Sequence, residues 1–412
     1  MEQMIQFLHR SGMHPDSIDP EHGIASFRSA MQAGLQGEPS SLMMLPAYIN
    51  PVSDIPLNMP VAVLDAGGTN LRVAMVTFTL DGPKVLTDRH LPMPGTHGTL
   101  TWEEFLEDLA QVLLPIAKQT DKLGFCFSFP ATITPEADGE VIYFNKEVEV
   151  TGASGRLVCR DLAALLNDTY GCGIRHTVLL NDTVATLMGG YAQVDRSQYD
   201  SFLGFILGTG MNCCYMEPSR QMIINMEAGG YSGFPRGVYD QEVDNASCNP
   251  GDHQIEKMVS GKYLGEIIED ALKGAAREGL FTGTCTENIL ALPPFDMSAV
   301  SALLADGSGI LSTACSDDTD RLRVRTLVET CVNRAAKMLA VMFAAILEQT
   351  DAGRLKPACI VAEGSTFWKC EAYRSSIDAY LHTLATEQRG RHYVFLSADN
   401  ANLLGAAAAA LL

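Results

Sequence analysis

Positive charge is scarce in this chain. Lys and Arg number 29 against 49 Asp and Glu, giving a formal net charge of −20 at pH 7. Binding along a nucleic-acid backbone needs Lys and Arg to neutralise phosphates, so the charge argues against a general nucleic-acid binder. An anionic membrane surface is disfavoured for the same reason. A nucleotide held locally by backbone N–H groups and Mg²⁺ remains compatible with this charge. The 11 cysteines are scattered, with no Cys-x-x-Cys pair and no Cys/His grouping at zinc spacing. They read as reduced, mostly buried thiols of a reducing compartment, with the adjacent Cys213 and Cys214 on opposite faces of a strand. No apolar run reaches the ~20 residues of a membrane span. The longest helical one, Met338–Leu347, is flanked by Arg334, Lys337 and Glu348 and reads as a buried helix. The first ten residues lack a basic segment followed by an apolar one, so no signal peptide and a cytoplasmic location are expected. No long heptad run is present, which leaves the oligomeric state open.

What the chain does have is apolar mass and glycine turns. At 412 residues with 47% hydrophobic and 19% charged residues, it is long enough for two domains with sizeable cores. Its centre of organisation is Val61-Ala-Val-Leu-Asp-Ala-Gly-Gly-Thr-Asn-Leu-Arg-Val-Ala-Met-Val76. Here two apolar β-rich runs flank the turn Asp65, Gly67, Gly68, Thr69 and Asn70. Paired glycines leave no Cβ in the way of a ligand, and successive N–H groups can form a concave nest for an anion. An acidic residue ending the first strand can hold Mg²⁺. An ordinary tight hairpin has the same local sequence. A Walker A loop is excluded, because no Gly-Lys-Ser/Thr follows and a strand comes next.

Along the chain, residues 1–57 read as two or three short amphipathic helices, with Asp16, Ser17 and Asp19 as candidate N-caps. Strands are expected at Val61–Leu64, Arg72–Thr79, Val85–Pro92, Lys122–Phe129 and Thr177–Leu180, with helices near Trp102–Gln119 and Leu157–Leu166. From residue 181 the organisation repeats. Asn181-Asp-Thr183 opens a helix to Tyr191, and Ser201–Met216 is again strand, glycine turn, strand. This repeat argues for two related halves. Long helices are expected over about Asp252–Ala276 and Leu327–Gln349, then a strand at Ala358–Ala362 running into Glu-Gly-Ser-Thr. An alanine-rich helix, Gly405–Leu412, reads as built for close helix packing.

Several polar residues stand at strand ends. Asp182 follows the strand Val178–Leu180, where α/β proteins place ligands. A carboxylate there can accept a hydroxyl proton as the oxygen attacks a phosphoryl group, although Asn-Asp-Thr is also an ordinary helix N-cap. Ser128, Asn145, Lys146, Asn212, Glu227 and Glu256 suit a polyhydroxylated ligand, since amides and carboxylates each bind one or two hydroxyls. Each alone has a bland structural reading, and the argument rests on their converging. Gly208-Thr209-Gly210 is a second candidate phosphate turn, and Glu363-Gly364-Ser365-Thr366 a third.

Taken together these segments resemble the hexokinase family of the actin-like ATPase superfamily, over most of residues 61–370. Leu64-Asp-Ala-Gly-Gly-Thr-Asn-Leu-Arg72 is similar to its first phosphate motif, Leu123–Pro130 to its sugar motif and Asn181–Thr186 to its catalytic motif. Leu207–Asn212 with Cys214–Glu217 is similar to its second phosphate motif, and Asn225-Met-Glu227 and Glu256–Glu266 follow in order. The resemblance implies an α/β, two-lobed actin-like ATPase (ribonuclease H-like) fold with a central cleft. The implied division is a helical segment 1–57 on the large lobe, a small lobe 58–180, a large lobe 181–395 and a helix 396–412 returning to the small lobe. It implies an ATP- and Mg²⁺-dependent hexose 6-phosphotransferase, with glucose as the expected acceptor. Ser128, Asn145, Lys146, Asn181, Asp182, Asn212, Glu227 and Glu256 would bind the sugar, with Asp182 as base. Lys146 and Arg72 would assist catalysis. Asp65 would act on the metal side, and Gly67, Gly68, Thr69, Asn70, Gly208, Thr209, Gly210, Gly364 and Ser365 on the phosphates. Lobe closure on the sugar is implied as well.

The match departs at four places: Asn145-Lys-Glu-Val148 replaces Thr-Lys-Gly-Phe, His253 replaces a Gln, Glu363 an Asp, and Ser397–Gly405 loses glycines and gains a residue. A kinase for another hexose or an amino sugar, or a weakly catalytic hexose sensor, is the alternative. The repressor-related sugar kinases share the fold, but their zinc-binding cysteine cluster is absent. By length the chain corresponds to one catalytic unit, so a second regulatory unit is not expected.

Overall fold

The structure is a computed structural model and describes residues 1–51, 53–144 and 148–412. Two sheets organise it. Numbering the strands of these sheets in chain order, β1 is Leu45–Pro46, β2 Val61–Ala66, β3 Asn70–Thr79, β4 Gly82–Pro92, β5 Lys122–Phe127 and β6 His176–Leu180. In the second half β7 is Ser201–Leu207, β8 Met211–Glu217, β9 Met222–Asn225, β10 Ala358–Glu363 and β11 Tyr393–Leu396. The first sheet has the order β6-β5-β2-β3-β4 and the second β1-β9-β8-β7-β10-β11. In each, an antiparallel three-strand meander (β2-β3-β4, β7-β8-β9) is extended by two strands parallel to its first member. The repeat inferred from the glycine turns is therefore a repeat of topology, with β1 added at one edge.

Strand alternation builds the layers. In β2, Ala62, Leu64 and Ala66 face a core shared with the helices Trp102–Ala117 and Val158–Asp168, while Val61 and Val63 face the opposite core. That second core lies between the sheets and holds two helices, Asp182–Tyr191 and Ala401–Ala409. The Asp182 helix, which follows the last strand of the first half, packs on β7, β8 and β10. The C-terminal helix, which follows the last strand of the second half, packs on β2, β3 and β5. Each half thus lends its last helix to the other half's sheet.

These two helices cross with their backbones in contact. A Cβ on Gly405 would lie 1.9 Å from the Ala185 carbonyl oxygen, and one on Gly189 would lie 2.2 Å from that of Ala401. The same helix lies against β5 at Gly124, where a Cβ would meet the Ala406 oxygen at 2.2 Å. The alanine-rich C-terminus is the sequence consequence of this proximity, because larger side chains would force the backbones apart.

The second half carries most of the helices. Its spine is Asp318–Gln349, 32 residues long, capped by the Asp317 side chain on the Asp320 N–H. It begins nine residues before the expected Leu327, because its first two turns are charged and show no apolar stripe. It is long and apolar enough to cross a membrane, but its most apolar window is 83% buried inside the protein. Within it Arg334, 1% exposed, pairs with the equally buried Asp240 at 3.0 and 2.5 Å. The N-terminal helix Pro20–Gln36, capped by Asp19, packs along this spine.

The long helix expected over Asp252–Ala276 is in fact two, Gln254–Val259 and Gly261–Arg277, broken where Ser260 turns extended at φ −78°, ψ 158°. A distant turn causes the break. The Gly261 N–H donates to the Gly208 carbonyl at 2.8 Å, and a Cβ on Gly261 would lie 2.1 Å from Thr366 Oγ1.

The helix crossing gives a stability prediction. Gly405→Ala should cost about 3 kcal/mol, because the methyl meets backbone that cannot rotate away. Gly283→Ala, whose Cβ meets nothing within 4 Å, should leave the urea midpoint nearly unchanged. Equal midpoints for both variants would show that the crossing yields to a methyl group.

Candidate active site

The expected site residues come from the ends of strands in both halves. Asp65 lies near the end of β2 and pairs across the sheet with Arg72 of β3 and Cys126 of β5. Beyond it the first turn closes with the Gly67 N–H on the Asn70 carbonyl at 2.9 Å, and the Thr69 carbonyl is taken by the Met93 N–H at 3.0 Å. In a trans peptide the C=O and N–H point oppositely, so the N–H of Asn70 points away from Met93. The second turn joins β7 to β8. Its Gly208 carbonyl accepts from the Gly261 N–H at 2.8 Å and from Thr366 Oγ1 at 3.0 Å, and its Thr209 carbonyl accepts from the Lys262 N–H at 3.4 Å. The broken helix therefore grips the carbonyl side of the turn and directs the N–H groups of Thr209 and Gly210 the other way. The third segment abuts the second, since a Cβ on Gly208 would lie 3.7 Å from Gly364 Cα and 4.0 Å from the Ser365 nitrogen. Gly364 has φ +109°, and a Cβ there would lie 2.2 Å from the Leu207 oxygen, so no other residue fits.

The residues read as sugar ligands gather on the adjoining side. Asn181 caps the Asp182 helix, accepting from the Thr183 N–H at 2.9 Å, and Asp182 Oδ1 accepts from the same N–H at 2.8 Å. Cap and candidate base are thus neighbouring residues with separate side chains. Asn212 Oδ1 accepts from the N–H groups of Cys213 and Ala228 at 2.7 and 3.0 Å, and its amide donates to Asn225 Oδ1 at 3.0 Å. Asn225 in turn donates to Glu227 Oε1 at 2.7 Å. Glu227 itself sits in the left-handed region at φ 49°, as does His253 at φ 50°. Glu256 Oε2 accepts from the Met211 N–H at 2.9 Å, an approach that leaves only 2.7 Å for a Cβ on Gly210. One glutamate thereby joins the sugar side to the second phosphate turn. Ser128 follows β5 and donates its N–H to the Ala66 carbonyl at 3.1 Å. Asn145 and Lys146 lie outside the described residues.

Electrostatics link these acids. Burial pushes the Asp65 carboxyl up and the charge of Asp182 adds to this, against the Cys126 thiol, Arg72 and Asn402, which pull it down. Glu363 is raised by burial, opposed by Thr186, and then by the charges of Asp65 and Asp182. Glu227 is raised by burial, opposed by Asn225, and further by Asp182 and Glu256 against His253. The charge of Asp182 thus acts on Asp65, Glu363 and Glu227. Arg72 bridges outward, to Asp88 at 2.9 and 2.6 Å and to Asn400 Oδ1 at 2.6 Å.

Oxygen donors short of positive charge suit a hard divalent cation. They do not form a closed cage: among the described residues, only His9, His14 and Asp16, far along the chain, bring three ligand atoms within 4.8 Å of one another. Mg²⁺ fits such an open arrangement, because it keeps several waters and takes one or two carboxylates plus substrate phosphates.

Comparison with known proteins bears on the arrangement as a whole. Residues 202–412 match one hexokinase family model and residues 13–192 match another. The chain belongs to the hexokinase family. This hexokinase-family chain is 30% identical to hexokinase-1 of Nicotiana tabacum, over 92% of its own length and 84% of the tobacco protein. It is 29% identical to hexokinase-3 of Mus musculus over 93% of its length but spans only 44% of that protein. The fold superposes on the hexokinase of Schistosoma mansoni complexed with glucose, with a TM-score of 0.77, 22% identity and 100% and 99% of the two chains covered. A ROK hexokinase from Thermus thermophilus matches less closely, with a TM-score of 0.55 and 16% identity over 85% and 98% of the chains. The two-lobed actin-like ATPase architecture follows from these likenesses.

Sequence reasoning missed residues that neighbour the candidate groups, among them Cys126, Thr186, Asn225 and Asn400. The only sequence signal was their place within or beside quoted motifs.

The raised carboxyls give a pH prediction. A folded-state pKa above the unfolded value of 4.5 means that the folded chain holds the Glu363 proton to higher pH. Stability is then lost as pH rises from the unfolded towards the folded pKa. Glu363→Gln should raise the melting temperature of the ligand-free protein at pH 7–8, and the gain should vanish at about pH 4. A destabilised variant at pH 8 would show that the charge is compensated.

Proposed function

We propose that this protein transfers the γ-phosphoryl group of ATP to the 6-hydroxyl of a hexose, with glucose as the preferred acceptor. The observation that carries this reading is convergence. The charge of Asp182 acts on Asp65, Glu227 and Glu363, while the second and third phosphate segments abut one another. Glucose is favoured as acceptor because the Schistosoma mansoni hexokinase is complexed with it.

The roles follow from placement. Asn181, Asn212, Glu227, Glu256 and Ser128 offer acceptors and donors to sugar hydroxyls, together with Asn145 and Lys146, which sequence alone assigns. Glu227 is held by Asn225 and Glu256 by the Met211 N–H, so both carboxylates are set before the sugar arrives. Preset groups avoid reorganisation as charge develops. Asp182 accepts the proton of the attacking hydroxyl. The N–H groups beyond Gly67 and Gly208 receive phosphate oxygens, with Arg72 alongside. Asp65 would hold Mg²⁺, which when bound supplies charge neutralisation on the phosphates. Closing the lobes on sugar would exclude water, which would otherwise compete for the phosphoryl group.

The test is coupled ADP release with Mg·ATP across glucose, mannose, fructose, glucosamine and N-acetylglucosamine, beside Asp182→Ala. Loss of the general base should lower turnover on the order of 10²–10⁴-fold. Turnover with one hexose, abolished in the variant, supports the kinase and names its substrate. No turnover with any sugar, together with hexose-induced thermal stabilisation, would replace the kinase by a sensor.

A further inference from the structure

Arg72 stands between two carboxylates and bonds one of them. In the register of β2 and β3 it lies directly opposite Asp65, so the two side chains project from the same face of the sheet. β4 continues that face, with Asp88 opposite Ala74, two residues along β3 from Arg72. Opposite charges that face each other across two strands attract. Yet among the described residues the carboxylate within ion-pairing distance of Arg72 is that of Asp88. Nε donates to Asp88 Oδ1 at 2.9 Å and Nη2 to Oδ2 at 2.6 Å, the parallel fork of a bidentate pair. The second hydrogen of Nη2 goes to Asn400 Oδ1 at 2.6 Å. Asn400 precedes the C-terminal helix in the left-handed region at φ 53°, and its side chain caps no N–H of that helix. Its carbonyl is free for Arg72 instead. Of the five guanidinium hydrogens, three are thus committed to groups other than Asp65.

We infer that Asp88 is a positioning residue for the nucleotide side of the site: by taking the fork of Arg72 it keeps that cation off Asp65 and leaves the Asp65 carboxylate open to a metal-bound nucleotide. Asn400 completes the clamp from the start of the C-terminal helix. The inference rests on the proposed nucleotide role of Asp65. A positioning role and a mere charge predict opposite signs. Removing a mere negative charge relieves repulsion and tightens an anionic nucleotide. Removing the clamp releases the guanidinium onto Asp65, its cross-strand neighbour, where the metal must displace it.

Mg·ADP and glucose are titrated separately by calorimetry into the full chain and its variants. Asp88→Ala should bind Mg·ADP about 10-fold more weakly, the scale of disturbing an outer partner at a metal site, with glucose affinity unchanged. Asp88→Asn, which keeps one acceptor for the fork, should lose less. In an Arg72→Ala background Asp88→Ala should cause no further loss, because the guanidinium it would release is gone. Unchanged or tighter Mg·ADP binding in Asp88→Ala, an equal fall for glucose, or a full loss that persists without Arg72 overturns the inference. Should wild-type protein bind no Mg·ADP, the kinase reading fails on its own. The Asp65→Asn/Asp88→Ala cycle in urea midpoint then decides without ligand: a non-additive shift supports release of Arg72 onto Asp65, and additivity rejects it.

Discussion

Backbone touching backbone, where the Asp182 helix crosses the C-terminal helix, is the constraint from which the rest of the architecture follows. Two helices can approach this closely only where neither presents a side chain. Gly189, Gly405 and the alanines around them are therefore fixed by geometry rather than by helix propensity. The crossing also decides which groups meet. It places Asp182, at the start of one helix, among carboxylates from β2, from just beyond β9 and from β10, and Asn402, at the start of the other, against Thr186. Duplicated topology supplies two equivalent helices, and exchanging them between sheets puts both N-termini near the same cleft.

The cleft gathers negative charge that folding alone would avoid. Asp65, Glu227 and Glu363 are all raised above their ordinary values, first by burial and then by the charge of Asp182. Two site residues, Glu227 and His253, are left-handed without being glycine. Such a site is less stable than an apolar version of itself, and any ligand that binds the folded state and neutralises these acids would offset the deficit.

Local patterns were legible in the sequence, and distant causes were not. The apolar runs at Val61 and Ser201 with their glycine turns, and the Asn181 cap before Asp182, depend on neighbours a few residues apart. They stand in the structure close to where the sequence places them, with β2 and β4 extended by two and three residues. The break at Ser260 could not be read the same way. Ile255, Met258, Val259 and Leu264 continue one apolar stripe across it, and the cause is a carbonyl at Gly208, some fifty residues away. β11 was invisible because Tyr393–Leu396 is short and only partly buried along its whole length. The neighbour of Asp65 in the sheet depends on the register of β5 against β2, and Thr186 meets Asn402 through a helix that begins more than 200 residues later. The altered stretch Ser397–Gly405 reads as a loss of glycines in sequence, and in space it supplies two asparagines to the site.

The grip of Gly261 and Lys262 on the second turn has one more consequence. A turn whose carbonyl oxygens are already committed to a helix start and to Thr366 shows an incoming group its hydrogens and not its lone pairs. It discriminates by sign before any side chain is consulted: an oxyanion meets donors, and an ammonium or amide N–H meets nothing that accepts. Selectivity of this kind is written into the main chain, so it survives changes of side chain at Thr209 and fails only when the break at Ser260 is repaired into continuous helix.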